Sequence, residues 1–105
     1  MISYIILGGK MMPSIQISEL LTYSNPIIID IRSSQSYNNN HIDGAINIPY
    51  QELTMNPSKY LEKNKRYFIY CQKGLTSVKV CNMLYNQGYS VVNIIGGYEE
   101  WIMKK

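Results

Sequence analysis

The chain has 105 residues, of which 46% are hydrophobic, and this size favours one domain with a single core. Its formal charge of +3 is too small to indicate a nucleic-acid-binding protein, and the basic cluster Lys63, Lys65 and Arg66 is interpreted as solvated surface. The apolar run from Met1 to Leu7 is too short to cross a bilayer, so we expect neither a nucleic acid nor a membrane as a partner.

The amino-terminal half begins with a segment that has two interpretations. Residues 1–12 are either a leader or an edge strand that ends at Gly8-Gly9, and residues 13–105 are the folded domain. A continuous β-branched run, Ile27–Ile31, predicts a strand that is buried on both faces, as in parallel sheets. Shorter signals predict a strand at Ser14–Gln16, a helix capped by Ser18, and a turn or loop over Ser33–Asn40.

Strands and helices alternate through the second half of the chain. The clearest helix, Thr76–Gln87, has apolar side chains at helical spacing and stops at Gly88. The other segments are strand candidates at Ala45–Ile48, Tyr67–Tyr70 and Val91–Ile95, and helical stretches over Gln51–Tyr60, interrupted by Pro57, and Tyr98–Met103. This alternation predicts an α/β domain with a central parallel sheet of four or five strands, flanked by helices.

The two cysteines, Cys71 and Cys81, are not spaced as a metal knuckle or as a Cys-x-x-Cys redox pair. With a single histidine, His41, the sequence does not predict a metal site. No secretory signal is recognisable and a free thiol suits a reducing compartment, so we expect a cytoplasmic protein. Cys81 falls on the apolar side of the predicted helix Thr76–Gln87 and is interpreted as a core residue, with a resolving thiol as the alternative.

Cys71 is placed at the end of a buried strand and just before a helix, at the edge where parallel sheets bind ligands. Gly74 permits a tight turn, so that the backbone N–H groups that follow surround the sulfur and favour its thiolate. Lys73 adds a cation, and Thr76 and Ser77 add hydroxyl donors. The residues alone leave two interpretations open, a reactive thiol and a small buried side chain at a strand end.

Five blocks of sequence, in order, resemble those of the rhodanese family of sulfurtransferases. They are Ile29-Asp30-Ile31-Arg32, His41–Pro49, Tyr70–Thr76, Gln87-Gly88-Tyr89 and Gly96–Trp101. The third block contains a loop, residues 71–76, that is similar to the active-site loop of the family. The resemblance covers about residues 14–101 and implies a rhodanese-like fold of three layers.

The resemblance implies a sulfurtransferase whose catalytic nucleophile is Cys71. The loop that binds substrate and persulfide then consists of Gln72, Lys73, Gly74, Leu75, Thr76 and Ser77. The thiolate takes a sulfane sulfur from a small anionic donor, thiosulfate or a persulfide, and passes it to cyanide, a thiol or a protein acceptor. No metal or organic cofactor is implied. Gln72 stands where thiosulfate-directed members have an arginine, and so removes one positive charge.

Asp30, Arg32 and His41 are predicted to support the site. Because Asp30 and Arg32 are two residues apart on a strand, their side chains leave the same face and are interpreted as a structural ion pair. A contribution of Arg32 to the field at the thiolate is the alternative. His41 is interpreted as holding its loop by hydrogen bonds rather than as a general base. A different function also fits the sequence, namely a non-catalytic rhodanese-like binding module or a redox sensor that uses Cys71.

Overall fold

A six-stranded sheet lies at the centre of the molecule. The computed structural model describes the backbone of all 105 residues and every side chain except those of Leu7 and Lys10. The strands are β1 (Ser3–Leu7), β2 (Lys10–Ile15), β3 (Ile27–Asp30), β4 (Ile46–Asn47), β5 (Arg66–Tyr70) and β6 (Ser90–Ile94). Their order across the sheet is β1-β2-β6-β5-β3-β4.

Five of the six strands are parallel, from β2 through β6, β5 and β3 to β4. The remaining strand, β1, is antiparallel to β2 and pairs with it over its whole length. The predicted α/β class with a central, mostly parallel sheet is confirmed. Its parallel part has five strands, and the antiparallel β1 brings the total to six rather than the predicted four or five. The division of the chain between residues 12 and 13 stays a prediction.

Six helices flank the sheet, and α5 is the longest, with 12 residues. They are α1 (Ile17–Leu20), α2 (Ser34–Asn39), α3 (Tyr50–Met55), α4 (Pro57–Tyr60), α5 (Leu75–Asn86) and α6 (Gly97–Met103). Pro57 lies where α3 and α4 separate. It occupies the first position of α4, where a missing N–H group breaks no helical hydrogen bond. Within the described residues, no helix has the length and apolar character needed to cross a membrane.

Two local predictions in the first half of the chain are wrong. The segment Ser33–Asn40, predicted as a turn or loop, contains the helix α2. Its N-cap Ser33 accepts a hydrogen bond from the N–H group of Ser36 at 3.2 Å, which offsets the weak helix propensity of the asparagines. Ser18 lies inside α1 and does not cap it, because that helix begins directly after Gln16.

Helices on both sides explain why the central strands are continuously apolar. On one face of β3, Ile29 belongs to the same core cluster as Leu84 of α5. On the other face, Ile28 clusters with Leu20 of α1 and Trp101 of α6. Successive side chains of a strand point to opposite faces, so every residue after the first is buried in β3, β5 and β6, and each large apolar side chain contributes about 1.5–3 kcal/mol. The domain therefore has three layers.

A buried carboxylate ends the central strand β3. Asp30 is fully buried, and its Oδ2 accepts a hydrogen bond from the Tyr70 hydroxyl at 2.6 Å. The same hydroxyl accepts the backbone N–H of Ile42 at 3.1 Å, so one phenol group joins β3, β5 and the segment before β4. Burial, and then the bond to Asp30, raises the pKa of Tyr70, which keeps the phenol neutral and able to donate.

Replacing Tyr70 by phenylalanine tests this network. The change leaves a buried carboxylate without one donor and the Ile42 N–H unpaired, so Tyr70→Phe should lower the free energy of unfolding by about 1.5–3 kcal/mol. Tyr85→Phe, at a half-exposed position of α5, is the matched control and should change it by less than about 0.5 kcal/mol. Urea denaturation measures both variants, and equal losses would contradict the importance of the network.

Candidate active site

The Cys71 side chain lies at the carboxyl edge of the sheet, directly after the last residue of β5. Its sulfur accepts the backbone N–H of Gly74 at 3.1 Å and that of Ser77 at 3.2 Å. The Ser77 group belongs to the first turn of α5, where N–H groups have no partner within the helix. Both donors and the positive end of the helix dipole therefore face the sulfur and favour an anion there.

A pocket of about 210 Å³ opens beside this sulfur. It is lined by Cys71, Gln72, Lys73, Leu75 and Thr76. Cys71 itself is 6% exposed, so the sulfur is shielded by its loop on most sides and is reached through this pocket. Four of the six predicted loop residues therefore line this opening, whereas Gly74 and Ser77 do not.

The turn after Cys71 requires a glycine. Gly74 has a φ of +92°, in the left-handed region, and it is the N-cap of helix α5. A Cβ atom at this position would lie 2.9 Å from the backbone nitrogen of Gly96, so there is also no room for a side chain. This conformation aims the Gly74 N–H at the sulfur.

The first turn of α6 holds the outer side of the loop. The N–H of Tyr98 donates to the carbonyl oxygen of Cys71 at 2.9 Å, and that of Glu99 to the carbonyl oxygen of Gln72 at 3.0 Å. The approach is close because Gly97, with a φ of +61°, has no side chain. A Cβ atom on Gly97 would lie 2.3 Å from the Cys71 carbonyl oxygen.

The Ser77 hydroxyl does not donate to the sulfur, which corrects the prediction made for it. It donates instead to Asn93 Oδ1 at 2.7 Å, a strong acceptor on the neighbouring strand β6. Its oxygen accepts a weak hydrogen bond from the Cys71 thiol at 3.4 Å. Ser77 therefore contributes its N–H group, whereas the Thr76 side chain lines the pocket and, within the described side chains, donates no hydrogen bond to the sulfur.

The side chains of Lys73 and Gln72 in the loop have different surroundings. Lys73 is exposed beside the pocket, and no carboxylate among the described side chains pairs with it. Gln72 accepts a hydrogen bond from Arg32 Nη1 at 3.2 Å and donates one to Glu99 Oε2 at 3.3 Å. Lys73 is therefore available to an incoming anion, while the Gln72 side chain is held by its neighbours.

Arg32 is held beside the site by several contacts. Its guanidinium donates to Asp30 from Nε at 3.1 Å and from Nη2 at 2.8 Å, and to the Asn40 carbonyl at 2.6 Å. It also lies 4.1 Å from the centre of the Tyr98 ring. Burial lowers the pKa of Arg32, but the hydrogen bonds and the charge of Asp30 raise it overall, so the guanidinium stays protonated. Arg32 does not line the pocket, and its influence on a thiolate stays a hypothesis.

His41 and Cys81 lie away from the pocket. His41 Nδ1 is 2.8 Å from the Tyr37 carbonyl oxygen, and the two rings stack at 3.8 Å, which ties α2 to the loop before β4. Cys81 is fully buried in α5, and burial, followed by the charge of Cys71, raises the pKa of its thiol. The described side chains contain no group of three or more histidine, cysteine, aspartate or glutamate residues that could hold a metal ion.

Two residues that shape the site were not assigned a role from the sequence. Gly97 allows α6 to approach the loop; the sequence marks it as part of a Gly-Gly turn and of the fifth block of resemblance, and neither signal indicates this contact. Asn93 is 2% exposed and orients the Ser77 hydroxyl. Its signal is a polar residue within an otherwise apolar strand, since a buried polar group needs a partner.

Known proteins with similar sequences include sulfurtransferases. Residues 16–104 match the family described as Rhodanese-like domain. Thiosulfate sulfurtransferase GlpE of Coxiella burnetii (strain RSA 331 / Henzerling II) is 31% identical over 93 residues, which covers 88% of this chain and 86% of that protein. Thiosulfate sulfurtransferase PspE of Escherichia coli (strain K12) is 32% identical over 91 residues, which covers 81% of this chain and 88% of that protein.

The fold is also found among solved structures. The crystal structure of SSP1007 from Staphylococcus saprophyticus has a TM-score of 0.76 and 32% sequence identity, and the match covers 84% of this chain and 91% of that one. Together with the sulfurtransferase relatives, this similarity supports a sulfurtransferase-type role. Because the family match extends over most of its length, the chain belongs to the rhodanese-like domain family.

Proposed function

We propose that the protein is a sulfurtransferase in which Cys71 carries a sulfur atom as a persulfide. The observation behind this proposal is the pair of N–H groups, from Gly74 and Ser77, that donate to the Cys71 sulfur at 3.1 and 3.2 Å. Donors in this position stabilise a negatively charged sulfur, both as the attacking thiolate and as the persulfide anion that follows. The thiosulfate sulfurtransferases at 31% and 32% identity support the same type of reaction.

In the first step, the Cys71 thiolate attacks the sulfane sulfur of thiosulfate or of a persulfide donor. A new S–S bond forms on Cys71 while the donor's own S–S bond breaks, and the electron pair of that bond leaves with sulfite or with the donor thiolate. Lys73 attracts an anionic donor into the pocket, whose volume of about 210 Å³ is sufficient for a small anion. The Gly74 and Ser77 N–H groups then hold the persulfide charge.

In the second step, cyanide, a thiol or a protein acceptor attacks the outer sulfur of the persulfide. The bond between the two sulfurs breaks, and its electron pair restores the Cys71 thiolate. The cycle consumes no oxidant or reductant, and no metal or organic cofactor takes part in it. Leu75, which is 71% exposed at the pocket, supplies an apolar contact for a thiol or protein acceptor. A cytoplasmic location, which keeps the thiol reduced, belongs to the same proposal.

Sulfur loading tests the nucleophile. Incubation with thiosulfate should add one sulfur atom to Cys71, measured by intact mass and peptide mapping, and cyanide should remove it. Cys71→Ser should stay unmodified, whereas Cys81→Ala, which removes a fully buried thiol, should load like the parent protein. Absence of loading from both thiosulfate and a persulfide donor would contradict the proposal and favour a non-catalytic binding or redox-sensing module.

Removal of the Lys73 charge tests how the donor is attracted. In Lys73→Met, kcat/KM for the dianion thiosulfate should fall about tenfold, equivalent to about 1.4 kcal/mol, because a Coulomb attraction in the pocket is lost. For a sulfane-sulfur donor that carries no net charge, kcat/KM should change by less than about twofold. Lys79→Met, at an exposed residue of α5 outside the pocket, is the control and should leave both values unchanged. Equal losses with the two donors would count against an electrostatic role.

A methyl group at Gly97 tests the contact between α6 and the loop. Because its Cβ would lie 2.3 Å from the Cys71 carbonyl oxygen, Gly97→Ala must displace the loop, and the rate of sulfur loading should fall by about tenfold or more. Gly44→Ala is the matched control, since its φ of +82° is also left-handed but its Cβ would meet nothing within 4 Å.

Both glycine variants are compared by loading rate and by urea denaturation. Gly44→Ala should lower the free energy of unfolding by only about 1–2 kcal/mol, the backbone cost of a left-handed alanine. It should load sulfur at the parental rate. A folded Gly97→Ala protein that loads as fast as Gly44→Ala would show that the position of the loop does not govern the reaction.

A further inference from the structure

The outer edge of β1 takes no part in the proposed reaction. β1 is the outermost strand of the sheet, and its sequence, Ser-Tyr-Ile-Ile-Leu, contains no charged residue and no proline. Natural edge strands are usually protected from pairing with other strands by charges, prolines or bulges. The register of β1 with β2 is continuous, so this strand has no bulge either. Its free edge therefore offers backbone hydrogen bonds to a further strand.

The register of β1 with β2 identifies the backbone groups that point outward. Tyr4 lies opposite Pro13, which has no N–H, so this pair is one without hydrogen bonds. Antiparallel pairs alternate between the bonded and the non-bonded type, so Ser3 and Ile5 bond to β2. The N–H and C=O groups of Tyr4 and Ile6 consequently face away from the sheet. The turn between β1 and β2 has two residues, and a turn of this length also indicates that the outward backbone groups are those of Tyr4 and Ile6.

We propose that this edge pairs with the same edge of a second copy of the chain. The two β1 strands are antiparallel, with Ile5 of each protomer beside the two-fold axis. In this register Tyr4 lies opposite the partner's Ile6, and Ile6 opposite the partner's Tyr4. The outward groups of these residues then form two pairs of backbone hydrogen bonds, which join the two six-stranded sheets into one.

The side chains of β1 suit a second copy in particular. Tyr4 is 55% and Ile6 76% exposed, and both lie on one face of the strand. In the self-paired register each tyrosine faces an isoleucine, an aromatic and β-branched pair that stabilises antiparallel sheets. Because β1 has no charged side chain, two copies meet without like-charge repulsion. The interface is only one short strand wide, so the association is weak and depends on concentration.

Sedimentation analysis of the full chain tests this proposal. Between about 10 μM and about 1 mM, the range of weak interfaces, the mass should rise from 12.1 kDa towards twice that value. Ile6→Lys places a charge at the edge and should stay monomeric throughout. Met11→Lys is the matched control, because Met11 is exposed and lies opposite Ile6 on the same face but belongs to β2. It should dimerise like the parent chain.

Two outcomes of the sedimentation experiment would overturn the proposal. One is a parent chain that stays at 12.1 kDa up to about 1 mM. The other is loss of the dimer in Met11→Lys as complete as in Ile6→Lys, because the contact would then use the apolar face of β1 and β2 and not the edge.

Amide hydrogen exchange gives a second measurement on the unmodified protein. The N–H groups of Tyr4 and Ile6 should exchange rapidly in dilute solution and become protected as the concentration rises. The N–H of Ile5, which bonds to β2, should be protected at both concentrations. A dimer in which the exchange of Tyr4 and Ile6 stays rapid would also overturn the proposal.

Discussion

The contact between the first turn of α6 and the carbonyl groups of Cys71 and Gln72 is the constraint on which the site depends. Beyond the end of β5 these carbonyls have no strand to pair with, and the N–H groups of Tyr98 and Glu99 replace it. The contact uses backbone atoms only, so its strict requirements of the sequence are residues without a side chain at Gly74 and at Gly97. The side chains of the loop are therefore free to vary while the sulfur keeps its two N–H donors.

A second constraint is electrostatic. Asp30 pairs in register with Tyr70, the residue just before Cys71, and an uncompensated carboxylate there would oppose a thiolate. Arg32 offsets this charge and donates to Asp30 from three nitrogens, Nε, Nη2 and the backbone N–H, and the Tyr70 hydroxyl adds a fourth donor. A buried ion pair contributes little net stability by itself. The role of the Asp30–Arg32 pair is better explained by the contacts that it positions, because Arg32 also contacts the Asn40 carbonyl and the ring of a residue in α6.

The features that were predictable from the sequence depend on neighbouring residues. The run Ile27–Ile31 indicates burial on both faces, and the order of strand, Cys71, glycine and helix predicts a sulfur at a helix N-terminus. The features that were not predictable depend on distant ones. The Ser77 hydroxyl is turned by Asn93, 16 residues further along the chain. The requirement for Gly97 appears only when α6 is folded against the loop, a contact that no local pattern encodes.

The proposed site separates the capture of a donor from the stabilisation of sulfur. Lys73 is the only cationic residue among the described residues that line the pocket, since Arg32 is engaged with Asp30 and Gln72 is neutral. The attraction of an anionic donor therefore depends on one exposed charge, which salt screens readily. The hydrogen bonds that hold a sulfur anion come from a shielded backbone, whose donors are less screened and need no reorganisation as charge develops. In the proposed reaction, a change of loop side chain would thus alter which donor is used, while the chemistry at Cys71 would depend on the backbone path.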